Sequence, residues 1–168
     1  MNYREYLESV SKKLQAAEFQ LRKDIKVARF DVDLYAFKDW TGMPVVTSTY
    51  KQISCIFVAL PNVVRRDVED FSDAAVSFEN EKRGKILIPH QGIFPTRLIV
   101  PVIVSARPRQ DAMAFFKDYN VSLAQQHLHP VLVNLDSGQV NHRVGVPFVG
   151  SGDDRILNGI VKDYLLPV

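Results

Sequence analysis

The sequence predicts one α/β (α+β) domain spanning 1–168, a mixed sheet of about five to six strands flanked by about four helices. Three observations lead there. Apolar residues recur at three- and four-residue spacing in four stretches, and the stretches between them alternate with period two or run continuously apolar. No repeat, low-complexity tract or linker divides the 168 residues. With 46% hydrophobic and 24% charged residues, the chain has the composition of a folded globule rather than a disordered one. At this length it can bury roughly 70% of its unfolded surface, so its core needs neither disulfide nor structural metal.

Asn2 followed by Glu5 reads as a helix N-cap with its reciprocal acid, and Tyr6, Leu7, Val10, Leu14, Ala17 and Leu21 place a helix over 3–21. From Lys26 to Phe37 the period becomes two, with Ala28, Phe30, Val32, Leu34 and Ala36 facing one way, which predicts a strand. Thr41-Gly42-Met43-Pro44 ends it, before a short extended piece at 45–48. Residues 51–60 are apolar on both faces and so form a central strand. A second helix follows Pro61-Asn62, with Val64, Val68, Phe71, Ala75 and Phe78 inward and Gly84 as its C-cap.

Lys85 to Ile88 reads as a short strand and 89–95 as a loop. Arg97 to Ser105 is apolar again, with Pro101 breaking a ladder bond or marking a bulge or an edge. Pro108 suits a first helical turn, and Ala112, Phe115, Phe116 and Tyr119 form a helical stripe. Residues 129–135 and 139–144 form a hairpin around Asp136-Ser137-Gly138, and a last helix covers Asp154 to Leu166. The strand–helix–strand unit 97–135 makes its two strands parallel, whereas the early strands, joined by a loop of about a dozen residues, are antiparallel.

Twenty-one basic residues against 19 acidic ones leave a net charge of +2, too balanced to argue for nucleic acid by bulk electrostatics. Residues 1–30 hold seven Lys/Arg against four acids, a mild excess that a solvated helix face also explains. A single cysteine, Cys55, excludes an intramolecular disulfide and fits a reducing, cytoplasmic setting. The polar opening from Met1 to Ser11 lacks a signal-peptide pattern, and no apolar run approaches the roughly 18 residues of a membrane span.

Asp31 and Asp33, two apart on a predicted strand, can share one divalent cation, with Lys26 and Arg29 beside them and Glu8 or Glu18 as a further ligand. The alternative is a partly exposed strand face with Arg29 paired to an acid. His127 and His129 offer two imidazoles to a transition metal, with His90 or His142 as a third ligand; alternatively His127 ends a polar loop and His129 packs at a strand edge. Gly150-Ser151-Gly152 stands where a phosphate-binding turn would, but Asp153 and Asp154 would repel a phosphate, and Asp153 reads more simply as an N-cap. Cys55 reads as a core thiol, and Trp40, Ile93 and Phe94 as loop aromatics and aliphatics that either anchor a partner or cap the sheet.

A helix, strands, a helix and a further strand, with acids early, is loosely similar in topology to the core of restriction-endonuclease-like nucleases. That family's motif places an acid on one strand and acid-x-Lys on the next, whereas Gln52-Ile53-Ser54-Cys55-Ile56-Phe57-Val58 carries neither, so the resemblance implies a degenerate site. The sequence contains no nucleophile elbow, phosphate loop, zinc-protease helix, C-x-x-C pair or EF-hand loop. The first functional expectation is therefore a non-catalytic module acting through protein contact or homo-oligomerisation. A divalent-metal-dependent phosphodiester hydrolase using Asp31 and Asp33, with Lys26 or Arg29 stabilising developing charge, is the second. Nucleic-acid binding through the basic residues of 12–29 is the third.

Overall fold

The first helix opens as its sequence requires and closes early. The Glu5 N–H donates to Asn2 Oδ1 at 2.9 Å and the Asn2 N–H donates to Glu5 Oε2 at 3.0 Å, a complete capping box. Helix α1 (Tyr3–Ala16) stops five residues short of the expected end, because Glu18 adopts a left-handed conformation with φ 65. The Glu18 N–H then donates to the Gln15 carbonyl and the Phe19 N–H to the Leu14 carbonyl, each at 3.0 Å. This is a Schellman closure made without glycine, so no local residue type marks it.

The computed structural model describes residues 2–41, 50–83, 96–118, 122–123, 126–143 and 152–167. After α1 come β1 (Gln20–Val27), β2 (Phe30–Thr41), β3 (Tyr50–Ala59), α2 (Arg65–Arg83), β4 (Thr96–Ser105) and α3 (Gln110–Asp118). The chain then forms β5 (Ser122–Leu123), β6 (Gln126–Leu128), β7 (Val131–Asn134), β8 (Gln139–His142) and α4 (Gly152–Ile160), which runs into a π-helical turn at Val161–Leu165. The expectations at 45–48 and 85–95, including His90, Ile93 and Phe94, and those at Gly42, Gly84, Gly150 and Ser151, lie outside the described residues, as does the Trp40 side chain.

The stretch predicted as one strand from Lys26 to Phe37 is a hairpin. Strands β1 and β2 are antiparallel from Gln20↔Phe37 to Val27↔Phe30, and Ala28, with φ 52, and Arg29 make the turn. No Asn-Gly or Asp-Gly marks it. A second irregularity, Asp24 at φ 52, sits between the paired residues Lys23 and Ile25. Across from it β2 changes face: Phe30 and Val32 pack with Tyr35 against α2, while Leu34 and Ala36 pack against α1. The single apolar face expected for 28–36 is therefore split between two cores.

Strand β3 is central, antiparallel to β2 and parallel to β4 from Lys51↔Thr96 to Ala59↔Val104. Along its other side β4 pairs in parallel first with β6 and then with β7. Pro101 is therefore not on an edge strand, but it does break a ladder bond. The Ile99 carbonyl accepts from the His129 N–H at 2.8 Å, so position 101, two residues on, turns its missing donor to the same side, where His129 and Pro130 separate β6 from β7. Among the described residues, hairpins β5–β6 and β7–β8 complete eight strand segments in six lateral positions.

Two cores result. Against one face lie Tyr6, Val10 and Leu14 of α1 with Leu157, Ile160 and Leu165; against the other lie Val68, Phe71, Ala75 and Phe78 of α2 with Ala112, Phe115 and Phe116 of α3. Each fully buried large apolar side chain contributes about 1.5–3 kcal/mol, so both layers are needed to hold the sheet. The Tyr6 hydroxyl donates to the Leu165 carbonyl at 2.9 Å and ties the first helix to the last turn. Among the described residues no helix is long and apolar enough to cross a membrane.

Candidate functional site

Three parallel strands begin side by side, and their first residues are polar: Lys51 and Gln52 on β3, Arg97 on β4, and Gln126 and His127 on β6. Since side chains alternate across a sheet, this end carries a polar group on each face.

On the α1/α4 face the Lys51 Nζ donates to Asp153 Oδ1, and His127 Nε2 lies 3.3 Å from Asp153 Oδ2. The Lys51 and Asp153 side chains are only 11% and 12% exposed, so each depends on the other for charge compensation. Asp153 does not cap α4. It lies inside the first turn, where the positive end of the helix favours a carboxylate.

On the α2/α3 face Arg97, 2% exposed, donates from Nε and Nη2 to Gln52 Oε1 at 3.1 and 2.9 Å and from Nη1 to Asn80 Oδ1 at 2.9 Å. The Gln126 amide donates to the same Asn80 oxygen at 2.7 Å. Beside them Arg83 donates to Asp39 Oδ1 at 2.8 Å, its Nε lies 3.3 Å from the fully buried Glu79, and its guanidinium stacks 5.0 Å from the Phe37 ring centre. Two guanidiniums thus face two carboxylates. Burial, reinforced by Glu79, pushes the Tyr35 hydroxyl up to about 12, which keeps it protonated as a neutral donor.

The residues singled out from sequence lie elsewhere or apart. Asp31 is on the surface, 3.7 Å from Lys26, with side-chain exposures of 91% and 71%. Asp33 accepts from the Tyr3 hydroxyl at 2.6 Å, and burial together with Asp33 raises that phenol far above its ordinary range. Arg29 reaches from the hairpin turn to α2, 2.7 Å from Asp70 and 3.9 Å from Asp67. The two aspartates thus have separate partners. Strand β3 offers Phe57, Val58 and Ala59 beside that part of β2, with no second acid or lysine.

His127 joins Lys51 and Asp153, whereas His129 is buried against His142, Nε2 to Nδ1 at 3.2 Å. The His142 Nδ1 also lies 3.1 Å from the Arg143 carbonyl, so its N–H is shared between that oxygen and the His129 nitrogen. Burial, with His142 and Arg143 close by, pulls His129 down to about 3 and keeps its ring neutral. Among the described residues, no group of three or more His, Cys, Asp or Glu side chains is arranged to hold a metal ion. Cys55 is fully buried and pushed up to about 12 by burial and Glu79, an inert core thiol as expected.

Sequence reasoning missed Lys51, Arg97, Asn80 and Glu79, and assigned Asp153 to a cap. The available signal was the recurrence of polar residues at the head of each apolar run, Lys51-Gln52, Thr96-Arg97 and Gln126-His127. The basic residues of 1–30 are partly paired: Arg4 lies against Glu8, Lys26 against Asp31 and Arg29 against Asp70, while Lys13 donates to the Leu166 carbonyl. Comparison of the chain with protein-family models, curated proteins and solved structures finds no match.

Proposed function

We propose that this chain is a non-catalytic α/β module that acts by contact with an acidic segment of another protein along β1. The observation that carries this reading is the open edge of β1. Among the described residues the strand pairs with β2 alone, and the hydrogen-bonding groups on its outer side are unpaired within the sheet. It exposes Arg22, Lys23 and Lys26 against the single acid Asp24, and Arg22 and Lys23 have no ion-pair partner among the described residues. A second copy would bring the same positive charge to the contact, so charge complementarity favours an acidic partner over self-association. Leu166 is the one exposed large hydrophobic side chain among the described residues, which also suits a charged, salt-sensitive contact rather than an apolar one. The phosphodiesterase reading lacks comparable support, because Asp33 is held by Tyr3 and Asp31 by Lys26.

A photo-crosslinking amino acid placed at Lys23, with the same probe at Arg66 on α2 as control, tests the reading in the cell of origin. The expected result is a protein adduct at position 23 alone. Introducing Arg22→Glu should remove it, and raised salt should weaken the purified pair. Equal adducts at both positions, none at either, or an adduct removed by nuclease would overturn the proposal.

A further inference from the structure

Independently of the β1 edge, the space under the last helix has the attributes of a small-ligand site. A cavity of about 240 Å³ lies between α4, its π-helical continuation and the sheet, walled by Phe19, Ile53, Ile156, Ile160 and Tyr164. At about 30 Å³ per water it holds roughly eight water molecules, the room needed by a compact organic molecule rather than a nucleotide. Gly159 lines it too, and a Cβ built there would meet nothing within 4 Å. The wall is therefore open where a side chain would otherwise fill it.

Two features suggest that this space is more than loose packing. The wider π-helical turn Val161–Leu165 brings Asp163 and Tyr164 to the cavity, and such turns are rare and concentrate at functional sites. Phe19 and Tyr164 meet edge to face at its wall with ring centres 6.0 Å apart, and the half-buried Tyr164 and Ile156 offer apolar surface to a ligand there.

Charge selects the ligand. Lys38 lines the cavity, but its Nζ is turned to the Ala17 carbonyl, to which it donates at 2.7 Å, with Glu18 3.6 Å away. Asp163 has no hydrogen-bond or ion-pair partner among the described residues. Of the two charged side chains that line the cavity, Lys38 is thus engaged by its neighbours and Asp163 is not. We propose that this cavity binds a small amphipathic amine, an aromatic or branched aliphatic body seated against Phe19, Ile53 and Tyr164 with its ammonium group at Asp163.

Phenethylamine and 3-phenylpropionate, nearly equal in size and opposite in charge, make suitable probes. Titrated into the isotope-labelled protein, phenethylamine is expected to shift the amide resonances of Phe19, Ile53, Gly159 and Tyr164 saturably, with a dissociation constant of about 1 mM or tighter. The carboxylate should bind at least about threefold more weakly, and Asp163→Asn should erase that preference. Asp163 is exposed, so this variant folds. Gly159→Leu fills the cavity and should weaken the amine at least about tenfold, with an unchanged or raised melting temperature showing that the fold is intact. No saturable shift at millimolar phenethylamine, a preference for the carboxylate, or undiminished binding by Gly159→Leu would each overturn the proposal.

Discussion

Breaking the buried Lys51–Asp153 pair from either side should cost different amounts, because the partners are not equally replaceable. Asp153→Asn leaves an ammonium group that is 11% exposed and has no other ion-pair partner among the described residues. Removing one member of a buried pair costs about 3–5 kcal/mol, and the residual exposure lowers the expectation here to about 2–4 kcal/mol. Lys51→Met leaves a carboxylate that still has His127 Nε2 at 3.3 Å and the first turn of α4 around it. That change should cost about 1–2 kcal/mol. The double variant leaves no orphaned charge, so it should be no less stable than Asp153→Asn alone, giving a coupling energy of at least about 1 kcal/mol. Urea unfolding of the four proteins at pH 7, followed by far-ultraviolet circular dichroism with equal slopes, measures all three quantities. A cost below about 1 kcal/mol for Asp153→Asn, or a larger cost for Lys51→Met, would refute the picture of two mutually dependent buried charges.

Three further outcomes follow from the geometry. Glu18→Gly should stabilise the protein by about 0.5–1 kcal/mol, since it relieves a left-handed residue at φ 65 and gives up only a pair whose carboxylate is 87% exposed; the urea midpoint reads it. His129, held neutral down to about 3, binds a proton more readily in the unfolded chain, so its contribution to stability is present above the unfolded value of about 6.5. That contribution is lost as pH falls towards 3, at up to about 1.4 kcal/mol per pH unit, and His129→Gln should flatten the stability curve in that window. Cys55 should stay unlabelled by a thiol reagent at pH 8 in the native protein and react fully in denaturant; rapid native labelling would show that strand β3 is not the sealed centre of the sheet.

The fold class was legible wherever packing agreed with local pattern. The capping box at Asn2, the two-sided apolar run of β3, the amphipathic α2 and the Asp136-Ser137-Gly138 hairpin each carry their structure in adjacent residues. The first hairpin was illegible for a specific reason: Glu18, Asp24 and Ala28 all take left-handed conformations that glycine or asparagine usually signals. Apolar spacing thus extended α1 across its closure and merged the end of β1 with β2. Pro101 was half legible, since its missing donor predicts a ladder gap but not that the gap would fall between two strands succeeding each other beside β4.

Site residues were harder to read because their partners are set by parallel register, which has no local signature. Lys51 and Asp153 are 102 residues apart in sequence and meet where the head of β3 lies against the first turn of α4, beside His127 of β6. Asp31 and Asp33, by contrast, are close in sequence, yet one pairs across the hairpin and the other with the start of α1. Spacing along a strand sets only the face a carboxylate points to, not the partner it finds there. Both acids precede the switch that divides the apolar residues of β2, and what parts them is their partners, Lys26 across the hairpin for Asp31 and Tyr3 of α1 for Asp33.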